Sequence, residues 1–495
     1  MKKILVANRG EIAIRIMRSA HEMGIATVAV FSDADRSALH VQYADEAIYL
    51  GESTASESYL SIQKIIEACK RTQADAVHPG YGFLSENPHF ARTLEQEGIK
   101  LIGPSAEAME TMGNKLSAKA LALKHQIPLI KGTTHAISDV DEAMRQATDI
   151  GFPILIKAAA GGGGKGMRIV NKPDDFLDEL KLAISEANSA FGDGSVFLER
   201  YISSPKHVEI QVLADEHGNS VYLFERECSI QRRHQKVIEE APCVVLPSGV
   251  RERMGKCALE LVRACQYTGA GTVEFIVDQQ LDFYFLEMNT RLQVEHPITE
   301  LITGIDLVKE QIKIARGKTL SLTQQQLQIR GHAIELRIYA EDPENNFLPD
   351  TGTLHSYSLP SGPSIRVDNA YEMGMEVPVY YDPMIAKLSV WGNDRNEAIQ
   401  RMKRAIKEYK ISGIKHTLHF GNFVLDHPSF QDGSYNTNFV ATYYHPEEQE
   451  GELKDAEIAA LMANHIFKKE HRPMETSSIT GIQKNQSNWR KKRII

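Results

Sequence analysis

The sequence has few of the features that mark secreted, membrane-spanning or nucleic-acid-binding proteins. Its five cysteines are odd in number and form no Cys-x-x-Cys pair, which indicates reduced thiols in a cytoplasmic protein rather than a disulfide framework or zinc site. No apolar run is long enough for a signal peptide or a bilayer span. The net charge of −9 argues against a broad nucleic-acid-binding surface. We therefore expect a globular protein that binds neither nucleic acid nor membrane.

Two common nucleotide-binding signatures are also missing. The Gly-x-Gly-x-x-Gly turn of dinucleotide-binding domains is absent after the first predicted strand, where Asn8-Arg-Gly-Glu11 stands instead. The chain also has no Gly-x-x-x-x-Gly-Lys-Ser/Thr loop.

The first hundred residues nevertheless alternate predicted strands with predicted helices, which favours a parallel sheet covered by helices. The strands are Ile4–Ala7, Thr27–Phe31 and Ala76–Val77, and the helices are Ile12–Met23, Tyr59–Cys69 and Pro88–Glu97.

The stretch from Glu287 to His296 places a polar group at every second position. In an extended strand, alternate side chains point to the same face. We therefore predict one polar face, made by Glu287, Asn289, Arg291, Gln293 and Glu295. The arginine fork suits a small planar oxyanion, and the carboxylates suit a hard cation. The alternative is an ordinary half-exposed strand with a salt-bridged polar face.

A second predicted strand, Thr272 to Val277, contains one carboxylate, Glu274. A turn at Asp278 to Gln280 would pair the two strands as a hairpin and bring Glu274 beside Glu287 and Asn289. Two like charges side by side in a sheet are costly unless a cation lies between them. We therefore predict a Mg²⁺ site that serves a bound nucleotide.

A glycine cluster lies between two further predicted strands, Pro153 to Lys157 and Met167 to Val170. A hairpin tip made of glycines exposes backbone N–H groups that can surround phosphate oxygens. Lys165 on the tip and Lys157 on the strand add positive charge. This pattern predicts nucleotide binding, although a lone glycine run is more often a flexible surface turn.

The segment from Cys228 to Lys236 is rich in hydrogen-bond donors. They are Gln231, Arg232, Arg233, His234 and Lys236. Such a segment can be an ordinary solvated basic face. Beside a predicted metal site, we interpret it as a source of donors for a triphosphate and a small anion.

Six motifs in the same order resemble the biotin carboxylase component of biotin-dependent carboxylases, in the ATP-grasp superfamily. Together they extend over about residues 1–446. They are Ala7-Asn-Arg-Gly-Glu-Ile-Ala, His78-Pro-Gly-Tyr-Gly-Phe-Leu-Ser-Glu-Asn87, Ala159-Ala-Gly-Gly-Gly-Gly-Lys-Gly-Met167, Glu225-Arg-Glu-Cys-Ser-Ile-Gln-Arg-Arg233, Glu287 to Glu300, and Ala340-Glu-Asp-Pro343.

The resemblance implies a role for each residue that matches a family motif. The ATP-contacting positions are Lys115, Lys157, Gly163, Gly164, Glu199, Arg200, Tyr201, Ile202, His207, Gln231 and His234. The Mg²⁺ or Mn²⁺ ligands are Glu274, Glu287 and Asn289, and the two carboxylates also face the nucleotide. The bicarbonate positions are Lys236, Arg291, Gln293 and Val294. Glu295 matches the general base, and Arg337 matches the residue that stabilises the biotin enolate.

The resemblance also implies an α/β architecture in several domains. These are an N-terminal Rossmann-like parallel-sheet domain (1–112), an ATP-grasp domain (113–316) with a mobile glycine-rich lid at about 130–203, a C-terminal α+β domain (330–446), and an extension (447–495) that we expect to be partly disordered. Its substrates would be ATP, bicarbonate and biotin on a carrier. A homodimer is implied as well.

Two departures from the family pattern bear on partners. No Ala-Met-Lys-Met biotin-attachment motif is present, since Lys387 lies in Met-Ile-Ala-Lys-Leu. We therefore expect the biotin carboxyl carrier protein and the carboxyltransferase to be other chains. Lys415-His416-Thr417 replaces the usual Lys-Thr-Asn, far from the catalytic set.

The final acceptor stays open among acetyl-CoA, another acyl-CoA and pyruvate. The remaining alternatives are another ATP-grasp ligase and a non-catalytic, nucleotide-binding regulatory protein.

Overall fold

The computed structural model describes residues 1–133, 135–159, 167–233, 235–445 and 458–463. The predicted site residues Gly163, Gly164 and His234, the glycine-rich tip and most of the 447–495 extension lie outside these ranges. The chain forms two compact units, Met1–Tyr444 and His445–Ile495. In the second, residues 458–463 are helical. None of the helices in the described ranges has the length and apolarity that crossing a bilayer requires.

The N-terminal region forms the predicted parallel sheet with helices packed on it. Its elements are β1 (Lys3–Val6), α1 (Gly10–Glu22), β2 (Ala26–Ser32), α2 (Leu39–Tyr43), β3 (Glu46–Gly51), α3 (Ile62–Thr72), β4 (Ala76–His78), α4 (Pro88–Gln96), β5 (Lys100–Leu101) and α5 (Ala106–Gly113). The strand order is β3-β2-β1-β4-β5, and every pair is parallel. β3 was not predicted, because this edge strand is mostly exposed and lacks a clear apolar alternation.

The middle region contributes two sheets. Its elements are α6 (Lys115–Lys124), α7 (Val140–Ile150), β6 (Ile154–Ala158), β7 (Met167–Val170), α8 (Phe176–Phe191), β8 (Val196–Arg200), β9 (Lys206–Ala214), β10 (Ser220–Arg232), β11 (Gln235–Ala241), α9 (Ser248–Ala264), β12 (Gly269–Val277), β13 (Phe283–Asn289), α10 (His296–Thr303) and α11 (Leu307–Ala315). The small sheet β7-β6-β8 has a hydrophobic core of its own, which includes Ile154, Phe176 and Leu198. It contains the predicted hairpin, with Lys157 opposite Met167.

The C-terminal region completes the large sheet. Its elements are β14 (His332–Tyr339), β15 (Glu341–Asp342), β16 (Leu348–Pro349), β17 (Gly352–Thr353), β18 (Ser356–Ser358), β19 (Ile365–Asn369), β20 (Glu376–Val377), β21 (Met384–Gly392), α12 (Arg395–Glu408), β22 (Lys410–Ser412), α13 (Leu418–Asp426), α14 (Pro428–Gln431) and α15 (Phe439–Tyr443). The eight-stranded antiparallel order is β13-β12-β9-β10-β11-β14-β21-β19. β11 pairs with β14, so this sheet passes without interruption from the predicted ATP-grasp domain into the predicted C-terminal domain.

Candidate active site

The β12–β13 hairpin lies at one edge of the large sheet and has the predicted pairing. Glu274 is directly opposite Glu287, and the Asn289 amide donates a hydrogen bond of 2.7 Å to Glu274 Oε1. The tight turn forms because the Asp278 carboxylate accepts the backbone N–H groups of Gln280 and Asp282, at 3.0 and 2.9 Å. A local sequence signal therefore brings together all three predicted metal ligands.

The prediction of one extended strand through Glu295 is wrong. β13 ends at Asn289, and residues 290–295 form an irregular loop that leads into α10, which has Pro297 in its first turn. Gln293 and Glu295 are nevertheless buried in the same site. The Gln293 amide donates to Glu274 Oε1 at 2.7 Å. Gln293 therefore reaches the site from the loop and not, as predicted, from a strand.

Lys236 of β11 lies at the centre of the site. Its Nζ is 2.5 Å from Glu209 Oε2, 2.7 Å from Glu295 Oε1 and 3.0 Å from Glu274 Oε1. Burial would lower the pKa of this lysine, but the three carboxylates raise it well above its usual value. The group is therefore a permanent cation that holds three strands and a loop at one point.

Arg337 of β14 lies on the other side of Glu295. Its Nη2 donates to Glu295 Oε2 at 3.0 Å, and its Nε donates to Glu239 Oε1 at 2.6 Å. Burial would raise the pKa of Glu295, but Lys236, Arg337 and Arg226 hold it far below its usual range. Burial raises the pKa of Glu239 to about 7 in spite of Arg337. Two neighbouring carboxyl groups on one guanidinium therefore differ sharply in acidity.

Arg226, on the central strand β10, is a structural centre that sequence reasoning missed. Its guanidinium is wholly buried and donates to Glu209 at 2.5 Å, and to Thr299 at 2.9 Å. It also donates to Gln293 Oε1 at 3.2 Å. Alternation of His207, Glu209 and Gln211 along β9 was a signal that could have revealed Glu209. Arg226 gave no local signal, because its partners come from distant segments.

Arg291 was predicted to share one strand face with Glu287 and Glu295, but in the structure its carboxylate partner is Glu86. Its Nε donates to Glu86 Oε2 at 2.8 Å, and its Nη2 donates to Asn289 Oδ1 at 2.8 Å. Glu86 Oε1 also accepts the backbone N–H of Thr290 at 2.9 Å. The motif His78–Asn87 therefore contributes Glu86 to the site, where it fixes the start of the 290–295 loop.

The described residues that are predicted to contact a nucleotide fall into two groups. In the small sheet, the Glu199 carboxylate forms ion pairs with Lys157 and with Lys119 of α6, one through each oxygen. Burial would raise the pKa of Glu199, but the two lysines lower it to about 2. In the large sheet, His207 Nε2 is 2.6 Å from Glu274 Oε2, and His207 Nδ1 is 2.8 Å from Gln231 Nε2.

The remaining predicted residues border these groups. Lys115 is the first residue of α6, where its charge acts on Glu287. Arg200, Tyr201 and Ile202 lie at the end of β8, and the Tyr201 N–H donates to the Pro153 carbonyl at 2.9 Å. Val294 is half-buried between Gln293 and Glu295.

The charges around Glu287 fit a divalent cation. The pKa of Glu287 is raised, first by burial and next by the charge of Glu274, although His207, Lys115 and Lys236 act in the opposite direction. Burial would raise the pKa of Glu274 as well, but Lys236 and His207 lower it, so the positive groups present compensate Glu274 rather than Glu287. Two carboxylates and an amide oxygen are hard donors of the kind that Mg²⁺ and Mn²⁺ prefer.

Comparison of the chain with known proteins identifies its family. Biotin carboxylase N-terminal and C-terminal domain models match residues 1–109 and 335–442, and the carbamoyl-phosphate synthase L chain ATP-binding domain model matches residues 114–323. The chain is 50% identical over 438 residues to the biotin carboxylase of a Nostoc species, covering 88% of this chain and 98% of that protein.

The chain belongs to the biotin carboxylase family. It is also 50% identical to biotin carboxylase 1 of Bacillus subtilis, over 90% of this chain and 99% of that protein. Among solved structures, the biotin carboxylase domain dimer of Hydrogenobacter thermophilus 2-oxoglutarate carboxylase, in complex with MgADP, ADP and bicarbonate, has a TM-score of 0.86. It is 44% identical, and the match covers 90% of this chain and 99% of that one. The predicted fold class and family resemblance are thereby confirmed.

Proposed function

We propose that this biotin carboxylase uses ATP and bicarbonate to carboxylate biotin held on a separate carrier protein. This is the first half-reaction of a multisubunit biotin-dependent carboxylase. The observation that carries the proposal is the convergence of Lys236 and Arg337 on Glu295, each within hydrogen-bonding distance of its carboxylate, beside the Glu274–Glu287 pair. An anion-binding centre and a cation-binding centre then share Glu274, as coupling of phosphoryl transfer to bicarbonate requires.

Glu274, Glu287 and Asn289 would hold Mg²⁺ or Mn²⁺, which would offset the negative charge of the ATP phosphates. Lys115, Lys157 and the glycine-rich tip with Gly163 and Gly164 would add further positive charge and backbone donors. Arg200, Tyr201, Ile202, His207, Gln231 and His234 would surround the rest of the nucleotide.

Lys236, Arg291, Gln293 and Val294 would bind bicarbonate. Glu295 would accept its proton as the oxygen attacks the γ-phosphate of ATP. A carboxylate held by two cations is a weak base. An entering bicarbonate anion draws on the same cations, so the pKa of Glu295 would rise toward the value its role needs.

Attack would give carboxyphosphate and ADP, and carboxyphosphate would release CO₂ and phosphate beside biotin. The phosphate would take the ureido proton, and the Arg337 guanidinium would stabilise the oxyanion that develops on biotin. The deprotonated ureido nitrogen would then attack the carbon of CO₂ and give N-carboxybiotin. The small sheet β7-β6-β8, with its separate core, would act as the lid over about 130–203 that excludes water from carboxyphosphate.

Lys387 cannot be a biotin-attachment site, because its side chain is 0% exposed. We infer partners of two kinds, a biotin carboxyl carrier protein and a carboxyltransferase, and assembly as a homodimer. All five cysteines are free, which suits a reducing, cytoplasmic compartment. The candidate acceptors are acetyl-CoA, another acyl-CoA and pyruvate.

The test is ADP release with ATP, Mg²⁺ and bicarbonate, measured without biotin, with free biotin and with a biotinylated carrier protein. We expect release that needs bicarbonate and is stimulated by biotin. Release that is indifferent to both free and carrier-bound biotin would instead indicate another ATP-grasp ligase. An absence of release would indicate a nucleotide-binding protein without catalysis.

A further inference from the structure

Lys387 is a wholly buried lysine that none of the roles above uses. It lies in the middle of β21, opposite Arg337 of β14 on one side and opposite Asp368 of β19 on the other. Cross-strand partners project to the same face of a sheet. Lys387 therefore extends toward the same layer as Arg337, beneath the 290–295 loop.

The ammonium group of Lys387 binds the loop directly. Its Nζ donates to the backbone carbonyl of Val294 at 2.8 Å. The carboxylates near it are farther away, with Glu11 Oε1 at 3.3 Å and Asp368 Oδ2 at 3.9 Å. A buried charge requires compensation, which these carboxylates supply. The shortest contact, however, is with the loop backbone.

The bond to Val294 controls more than one atom. The carbonyl of Val294 and the N–H of Glu295 belong to one planar peptide group. Fixing the carbonyl therefore fixes the orientation of the Glu295 N–H and the direction in which the Glu295 side chain leaves the backbone. Lys236 and Arg337 hold the other end of that side chain.

Glu11 connects this lysine to the N-terminal sheet. It lies in the first turn of α1, and the Tyr81 hydroxyl donates to the same Glu11 oxygen that faces Lys387. Asn8 holds the Tyr81 segment through bonds to the carbonyls of Pro79 and Tyr81, at 2.8 and 2.7 Å. The Asn8–Glu11 motif and the Met384–Leu388 segment, which the site had left unexplained, thus meet at Lys387.

We propose that Lys387 is a positioning residue, which orients the Val294–Glu295 peptide for bicarbonate and ties it to the N-terminal sheet through Glu11. This inference rests on the proposed function, since it assigns bicarbonate to the loop. It predicts a selective defect: a loosened loop impairs bicarbonate use, whereas the nucleotide contacts of the small sheet and of His207 are untouched.

The experiment measures KM for bicarbonate and KM for ATP in Lys387→Met. We expect KM for bicarbonate to rise about tenfold or more, from loss of a charge-assisted hydrogen bond, and KM for ATP to change less than about twofold. Val390→Ala is the matched control, because it truncates a wholly buried residue of the same strand that packs in the hydrophobic core. It should lower the melting temperature without moving either KM.

A second variant keeps the inference testable if Lys387→Met does not fold. Lys387→Met combined with Glu11→Gln removes one charge of each sign, so fewer uncompensated buried charges remain. It should show the same selective rise in KM for bicarbonate. An unchanged bicarbonate KM in a folded variant, or an equal rise of both KM values, would overturn the inference. Wild-type protein without bicarbonate-dependent ADP release would instead reject the proposed function itself.

Discussion

Replacing Arg337 by Ala should separate the biotin step from ATP binding. The guanidinium donates to Glu295 at 3.0 Å and to Glu239 at 2.6 Å, and its side chain is 8% exposed. None of the described residues assigned to nucleotide contact is among these partners. The substitution therefore removes the proposed oxyanion donor and leaves Lys236 in contact with Glu295.

The cost in stability can be bounded. Removing one partner of a buried ion pair costs about 3–5 kcal/mol, because a charge is left uncompensated. The pKa of Glu239 is already about 7 and would rise further without Arg337, so this group would take up a proton. We therefore expect a loss near the lower end, about 3 kcal/mol. A typical stability of about 5–15 kcal/mol leaves the variant folded at room temperature.

The cost in catalysis should be larger. Loss of one donor to a developing oxyanion typically lowers kcat by about 10²- to 10³-fold. The assay compares biotin-dependent ADP release with nucleotide affinity, measured by calorimetry. Arg395→Ala is a matched control, since it removes a buried ion pair with Glu240, away from the proposed biotin position. Biotin turnover within about twofold of wild type, in folded Arg337→Ala, would refute the role of Arg337.

Three further predictions concern metal, nucleotide and acid. Glu274→Gln should weaken Mn²⁺ binding at least about tenfold, measured by electron paramagnetic resonance; unchanged binding would contradict the metal assignment. Lys119→Met should raise KM for ATP about tenfold, because Glu199 would then neutralise Lys157 alone, whereas exposed Lys124→Met should not. Burial would raise the pKa of Glu240, but His332 and Arg395 lower it from 4.5 to about 2. The ion pairs of Glu240 therefore stabilise the folded state fully above about pH 4.5, and this stabilisation is lost as the pH falls toward 2. Glu240→Gln should remove up to about 3 kcal/mol of this acid-dependent stability, seen as a flatter melting temperature between pH 5.5 and 3.5; an unchanged slope would contradict it.

Local patterns predicted the elements that are close in sequence. The β12–β13 pairing was predictable because the turn at Asp278 lies between two short strands, so Glu274 and Glu287 had to meet. Glu86 and Arg226 were not predictable in this way, because each contacts residues that the fold brings from far along the chain. Alternation alone also failed after Asn289, where the chain leaves the sheet.

The roles of individual residues depended on the resemblance rather than on periodicity. Spacing alone placed Glu295 on a polar strand face, and it gave no reason to choose Glu295 over Glu287 as a base. The structure supplies a physical difference: Lys236 and Arg337 bind Glu295, whereas the neighbour across the strand from Glu287 is another carboxylate. That difference arises from tertiary contacts, which a linear pattern cannot contain.

The uninterrupted large sheet limits how the chain can be divided. The boundaries of the matched family domains suggest a safe cut between residues 323 and 335. Such a cut would separate β11 from β14 and leave each fragment with an unpaired row of backbone N–H and carbonyl groups at the middle of the sheet. Each fragment alone would then be prone to aggregate. The two fragments together could reassemble as a split protein, with activity restored only when β11 and β14 pair again.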